Sequence, residues 1–343
     1  MSLPETFVKG FHDESEVKKM KYLPLGGTGM NISQLSLGTA TFSYFYGDYN
    51  EEECKRTVHD AIKKGINYID TAPYYGHGTA EEILGKCLEG IPRQAYYLAT
   101  KVARYEKDPK LMFDFSAEKT RQSIEQSLKR MEVDYIDLIQ VHDIDFAPSL
   151  DIVLKETLPT LHEFVKAGKA KYIGITGYTC STLLECIEKS TVPISTILNY
   201  ARLTMIDDTL KEFIPKFQMK NVGILNAAVH AQGLLTNAGP SDWQAACKEI
   251  KDACTQARQH CIEKGVELGK LALYHSLQQQ GPASVLVGMK DRQILDYNLK
   301  VVHDGLTSDE QAAYNHVMKI FDKLTVKHWG TTEIENYWKA VSA

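Results

Sequence analysis

The chain has 343 residues, and its 39 Lys and Arg against 44 Asp and Glu leave a formal charge of -5 with no basic block, which argues against nucleic acid as a partner. Hydrophobic residues at 43% and charged residues at 24% supply enough apolar material for a large core, which excludes a mostly disordered chain. No apolar run reaches the roughly 18 residues that a bilayer span needs, and residues 1–20 are polar and acidic without a signal-peptide core, so the expected location is the cytoplasm. The seven cysteines are scattered without close pairing, as in a reducing compartment, and support neither a disulfide framework nor a zinc site.

After a polar extension over 1–20, residues 22–25, the turn Gly26-Gly27-Thr28-Gly29 and residues 30–33 predict a small β-hairpin, placed to plug the lower end of a barrel. The Gly-Gly-Thr-Gly turn leads into a second strand and not a helix, so it lacks the context of a nucleotide loop. From Lys21 onward short β-rich runs alternate with longer helical patterns, the signature of repeated βα units and a parallel sheet. Eight strands are expected, near 34–38, 68–70, 97–101, 136–141, 172–176, 196–199, 222–227 and 284–287, apolar enough for burial on both faces. Between them Cys54, Val58, Ala61 and Ile62 fall at helical spacing, as do Ile124, Leu128 and Met131 behind a cap at Ser116. Residues 232–265 are too long for a simple crossover; Gly239-Pro240 and the helical stretch after it predict an inserted loop and an extra helix following strand seven. There Cys247, Cys254 and Cys261 recur every seven residues, as small apolar residues on one packed helix face. A further helix around 308–322 precedes a polar tail. The architecture expected is a single (β/α)8 TIM barrel over 21–326, with an N-terminal β-hairpin, extra helices after strand seven and near the C-terminus, and a tail over 327–343.

Three ionisable residues stand where successive strands end: Asp70, Lys101 and His142. In a parallel barrel those ends share one mouth. Tyr75 lies five residues past Asp70, in the turn Thr71-Ala72-Pro73-Tyr74-Tyr75-Gly76, whose Pro and Gly bring a phenol back over the strand ends. Singly, Asp70 reads as a helix cap, Lys101 as a surface charge and His142 as a satisfied buried imidazole. Together they form an acid–base constellation. A phenol with a pKa near 10 is a poor acid at neutral pH unless a cation lowers it, and Lys101 supplies that charge. Asp70 would hold Lys101 ionised and in place, and His142 would donate to or orient the substrate oxygen. No side chain gives up hydride, so a nicotinamide must. Phe42, Tyr44, Phe45, Tyr46 and Tyr105 stand to line the mouth, as packing or as substrate contacts. His142-Asp143 is the one pair suited to a metal, and a metal-dependent hydrolase would leave Lys101 and Tyr75 without roles, so no metal is expected.

These residues resemble the aldo-keto reductases, whose tetrad is an Asp, a Tyr in a D-x-A-x-x-Y-G motif, a Lys and a His, matched here by Asp70, Tyr75, Lys101 and His142. The stretches 25–29, 99–101, 134–138 and 233–236 carry the same resemblance, which covers about 21–301. Within the family, 113–118, 142–143 and 284–289 look most like the L-galactose dehydrogenase branch, which implies oxidation of a sugar lactol or aldose with NAD. The resemblance puts Thr176 and Gly177 where the family usually has Ser-Asn on the carboxamide, and Asn199 at the next position; Gly177 brings no side chain. Ala227 stands where many members stack a Tyr, so another group must pack the nicotinamide ring. Gly233 and Leu234, then Gly288, Met289 and Lys290, with Asn298 matching the adenine-binding Asn, complete the implied cofactor contacts. Ile294 replaces an expected Arg, which weakens NADP, while Lys290 retains one cation for a 2'-phosphate. NAD or NADP therefore stays open, leaning to NAD. The other reading is a nicotinamide-binding regulatory or sensor subunit with little turnover, like the potassium-channel β subunits of this family. Substrate, direction and oligomeric state stay open beyond a small carbonyl or alcohol.

Overall fold

The structure is a computed structural model that describes residues 3–343, so Met1 and Ser2 of the extension lie outside the described residues. Strands β1 (Tyr22–Pro24) and β2 (Asn31–Ser33) form an antiparallel pair. The next eight are β3 (Leu35–Gly38), β4 (Tyr68–Asp70), β5 (Tyr97–Val102), β6 (Ile136–Val141), β7 (Ala170–Gly177), β8 (Thr196–Tyr200), β9 (Gly223–Ala227) and β10 (Ser284–Gly288). They close a parallel barrel in the order β10-β3-β4-β5-β6-β7-β8-β9. Every residue of β5, β6 and β9 is buried, because one face packs inside the barrel and the other under the helices.

The covering helices follow from their stripes and caps. In Glu51–Lys63 the Asn50 side chain accepts from the Glu53 N–H at 2.9 Å, and Cys54, Val58, Ala61 and Ile62 face the core. Ser116 caps Ala117–Met131 in the same way.

The hairpin seals the lower end: Leu25, Met30 and Ile32 pack with Tyr68, Leu138 and Leu225 inside the barrel. Glycine is required at Gly26, whose φ is +53° and where a Cβ would fall 2.2 Å from the Gly223 nitrogen. Residues 3–20 pack beneath, with Met20 and Val17 buried and the Asn67 Nδ2 donating to Thr6 Oγ1 at 3.0 Å.

At the upper end, the expected extra helix after β9 is Lys248–Glu263, which packs against Ser308–Phe321. Cys254 and Cys261 are buried there, whereas Cys247 sits exposed at the helix start. Residues 327–343 carry a helix, Gly330–Ser342, where none was expected. It lies across loops of the mouth: Tyr337 meets Phe113 and Phe146 edge-on, each at 5.3 Å. Its half-buried Ile334, Tyr337, Trp338 and Val341 form a stripe at helical spacing. Among the described residues no helix is long and apolar enough to cross a membrane.

Candidate active site

Strand register builds the site. Asp70, the last residue of β4, pairs with Ala99 of β5, and Lys101 is two residues on, so both side chains project to the same side near the strand ends. The buried Lys101 ammonium forms an ion pair with Asp70 Oδ1, donates to the Thr71 carbonyl at 2.9 Å, and reaches the Tyr75 hydroxyl at 3.2 Å. Gln140, opposite Lys101 on β6, donates to the other Asp70 oxygen at 2.8 Å. His142 follows β6, its N–H bonded to the Val102 carbonyl at 2.9 Å, and its ring meets Tyr75 edge-on at 6.0 Å. The Tyr75 turn is held by its own N–H on the Ala72 carbonyl at 3.1 Å. Gly76 closes it at φ +66°, where a Cβ would lie 2.7 Å from the Ser43 Cβ. The four predicted side chains thus meet at one place.

Burial and charge compete there. Burial pushes the Tyr75 phenol upward and Lys101 pulls it down, and the net direction is upward, so the phenol is protonated at neutral pH. The sequence suggested a phenol made acidic by its cation; the cation is present, but burial outweighs it. Burial also opposes the charge on Lys101, yet the Asp70 carboxylate and Tyr75 more than offset it, and the ammonium persists. Burial takes the His142 imidazole down to about 3, against the neighbouring Asp143, so it stays neutral.

A second polar group adjoins the first. Asp143, with a left-handed backbone at φ +53°, accepts from the Arg104 Nη1 at 2.7 Å and from the Thr176 hydroxyl at 2.8 Å, and its carboxylate lies 3.6 Å from His142 Nε2. Arg104 stacks over Tyr74 at 4.0 Å. The sequence reading missed Arg104 as a site residue; its signal was a cation just past the end of β5. Of the aromatic residues expected at the mouth, Phe45 packs on Tyr74 at 5.2 Å, Phe42 and Tyr105 are buried, and Tyr44 is exposed. The Tyr46 side chain lies outside the described residues.

The residues expected to hold a dinucleotide fall into two groups. Thr176 accepts the Asp143 N–H at 2.9 Å and donates to its carboxylate, while Asn199 bonds to the Leu225 carbonyl, Asn226 and the Arg202 N–H. A Cβ at Gly177 would lie 2.6 Å from Asp145 Oδ2, the oxygen that accepts the Tyr178 N–H, so a side chain there would have to displace Asp145 from that bond. Ala227 is buried on β9 beside its register partner Tyr200, whose ring stacks on Tyr178 at 4.1 Å. Gly233 adopts φ +90° in the turn after β9, and Leu234 is buried behind it. Gly288 ends β10 against Thr41, Met289 is buried, and Lys290 donates to the Asp48 carbonyl at 2.6 Å. Asn298 is 5% exposed and its Nδ2 has no partner. A buried amide donor left without an acceptor suits a heteroaromatic base, so the residues at this end fit the adenine half of a dinucleotide. Among the described residues, no group of three or more His, Cys, Asp or Glu is placed to hold a metal ion.

Residues 34–319 match the model of the aldo/keto reductase family. The L-galactose dehydrogenase of Arabidopsis thaliana is 39% identical over 289 residues, spanning 83% of this chain and 88% of that one. The D-arabinose 1-dehydrogenase of Saccharomyces cerevisiae is 28% identical, across 77% of this chain and 81% of its own. Among solved structures, an aldo-keto reductase from Bacillus halodurans in its holo form superposes with a TM-score of 0.70 at 26% identity, covering 87% of this chain and 96% of that one.

Proposed function

Because the chain belongs to the aldo/keto reductase family, we propose that it oxidises the anomeric carbon of an aldose, and reduces the matching carbonyl, with Tyr75 carrying the proton. One observation supports this above the rest: the Tyr75 hydroxyl lies 3.2 Å from a buried ammonium that is itself paired with Asp70. A bound nicotinamide supplies or accepts the hydride. In the reducing direction the protonated phenol donates to the substrate oxygen, and Lys101 stabilises the phenolate left behind. In the oxidising direction that phenolate takes the proton of the substrate hydroxyl. His142, neutral, donates a hydrogen bond to the same oxygen as negative charge builds on it. The sugar named in two of the similar proteins is an aldose, which favours that substrate class here.

Asn298 would receive the adenine, with Gly288, Met289 and Lys290 beside it, Gly233 and Leu234 along the phosphates, and Thr176, Gly177 and Asn199 at the carboxamide end. We assign NAD over NADP: Arg292 is paired with Glu53 at 2.9 Å and Ile294 is apolar, which leaves Lys290, held on the Asp48 carbonyl, as a single cation near a 2'-phosphate.

The test is a screen of the purified chain with L-galactose, D-arabinose and other aldoses, and with simple aldehydes, each with NAD and NADP, read by near-ultraviolet absorbance of the reduced cofactor. Turnover of an aldose with NAD that Tyr75→Phe abolishes supports the assignment. Silence across the panel, with dinucleotide binding intact, returns the regulatory-subunit reading.

A further inference from the structure

Arg104 is a costly residue to bury. Its side chain is 16% exposed, it is ion-paired to Asp143 at 2.7 Å, and it is packed among Tyr74, Phe113 and Phe146. An ion pair in such surroundings seldom stabilises a fold more than apolar side chains of equal volume would, so stability alone does not explain it. Nor is the guanidinium saturated among the described residues: the buried Nε has no partner, Nη2 meets the Met112 sulfur at 3.8 Å, the Tyr178 hydroxyl makes a further bond, and the Glu333 carboxylate interacts with it through charge alone. Buried donors of this kind call for an acceptor.

Its place supplies the second observation. From the phenol outward the order is Tyr75, His142, Asp143, Arg104, with 6.0 Å between the first two rings, 3.6 Å from the imidazole to the carboxylate and 2.7 Å from there to the guanidinium. The carboxylate is fixed from both sides, by Arg104 and by the Thr176 hydroxyl at 2.8 Å. Aromatic rings form the surrounding wall, closed above by Tyr337 of the final helix.

We propose that the Arg104–Asp143 pair is the hydroxyl-reading element of this site, the guanidinium donating to hydroxyl oxygens of the sugar and the carboxylate accepting from its hydroxyl protons. A hydroxyl offers one proton and two lone pairs, so neighbouring hydroxyls are best met by a donor and an acceptor side by side. Apolar walls with a few fixed polar groups are the usual construction of a small-molecule site. A site built in this way discriminates strongly, because a substrate lacking the hydroxyls leaves its buried polar groups unpaired. The inference rests on the proposed aldose oxidation and names which residues recognise that substrate.

The experiment compares kcat/KM for L-galactose with that for butanal in the wild type, Arg104→Gln and Arg104→Lys. The sugar-to-aldehyde ratio is expected to fall roughly 10- to 100-fold in Arg104→Gln, chiefly through the KM for sugar, and to recover in part in Arg104→Lys. A ratio that does not move, even where both activities drop together, overturns the proposal. Arg104→Lys keeps a cation on Asp143 and serves where the glutamine variant fails to fold. A binding arm needs no turnover: saturation-transfer NMR of L-galactose with Tyr75→Phe, alone and combined with each Arg104 substitution. Disappearance of the sugar signal in the glutamine variant supports the proposal, and an undiminished signal overturns it. If the wild type turns over nothing yet binds L-galactose through Arg104, the catalytic reading fails and this one stands. If it reduces butanal but neither oxidises nor binds sugars, this one fails and the oxidoreductase remains.

Discussion

Lys101 and Tyr75 touch through a single 3.2 Å contact between ammonium and hydroxyl, and the same ammonium lies 4.9 Å from the centroid of the phenol ring. Replacing Lys101 with Met removes that charge and leaves Asp70 buried without its partner. The single variant should lose about 3–5 kcal/mol of stability in urea unfolding. Asp70→Asn combined with Lys101→Met should regain most of it. In that double variant the phenol rises further, so the rising limb of the pH–rate profile for oxidation, where the phenolate forms, should move to higher pH; an unmoved limb would uncouple the two residues.

Tyr75→Phe removes only the hydroxyl. Turnover should fall by about 10²- to 10⁴-fold, while the dinucleotide Kd, read by fluorescence, should stay within roughly twofold, because the proposed proton transfer uses this hydroxyl and the proposed cofactor contacts do not.

His142 makes the stability depend on acid. Its pKa falls from 6.5 to about 3 through burial. Between those values the unfolded chain takes up a proton that the folded chain refuses, so stability falls as pH drops through this window. On lowering pH from 7 to 5 the contribution lost is on the order of 2 kcal/mol. His142→Gln should show a correspondingly shallower fall in the same interval, measured by urea unfolding at each pH. The neutral imidazole also predicts no kinetic titration of His142 near pH 6.5.

The unpartnered Nδ2 of Asn298 predicts a contribution to dinucleotide affinity. Asn298→Ala should raise the Kd by roughly tenfold, the worth of one buried hydrogen bond, with kcat at saturating cofactor little changed. Equal Kd values by titration calorimetry would remove Asn298 from the cofactor site.

Tyr337 covers Phe113 and Phe146 from the final helix. Tyr337→Ala should raise the KM for an aldose by about 3- to 10-fold, as expected for losing aromatic contacts at a half-exposed position, and should shift Tm little. A change confined to kcat would place the residue elsewhere in the cycle.

The strands were legible because each is a short apolar run bounded by turn residues, and all eight observed strands fall within two residues of the expected bounds. The meeting of Asp70, Lys101 and His142 was legible from the same pattern, since parallel strand ends share a mouth. Arg104 was hidden because it lies outside a strand, behind Ala103 at a left-handed φ of +82°. Gly177 looked like a missing hydrogen bond; in the structure Asp145 Oδ2 occupies the space a side chain there would enter. The direction of the Tyr75 shift was not legible either, since a sequence reveals a nearby cation but not how deeply a phenol is buried. The final helix went unseen because its stripe is short and its partners, Phe113, Phe146 and Tyr178, come from loops distant in the chain.

That helix, Gly330–Ser342, lies beyond the span 34–319 over which the family is recognised. Two proteins alike in every barrel strand would still present different thresholds to an incoming molecule if they diverged only here. If Tyr75 carries the proton as proposed, edits confined to this terminal segment would alter which molecules are admitted while Asp70, Tyr75, Lys101 and His142 beneath it stay the same.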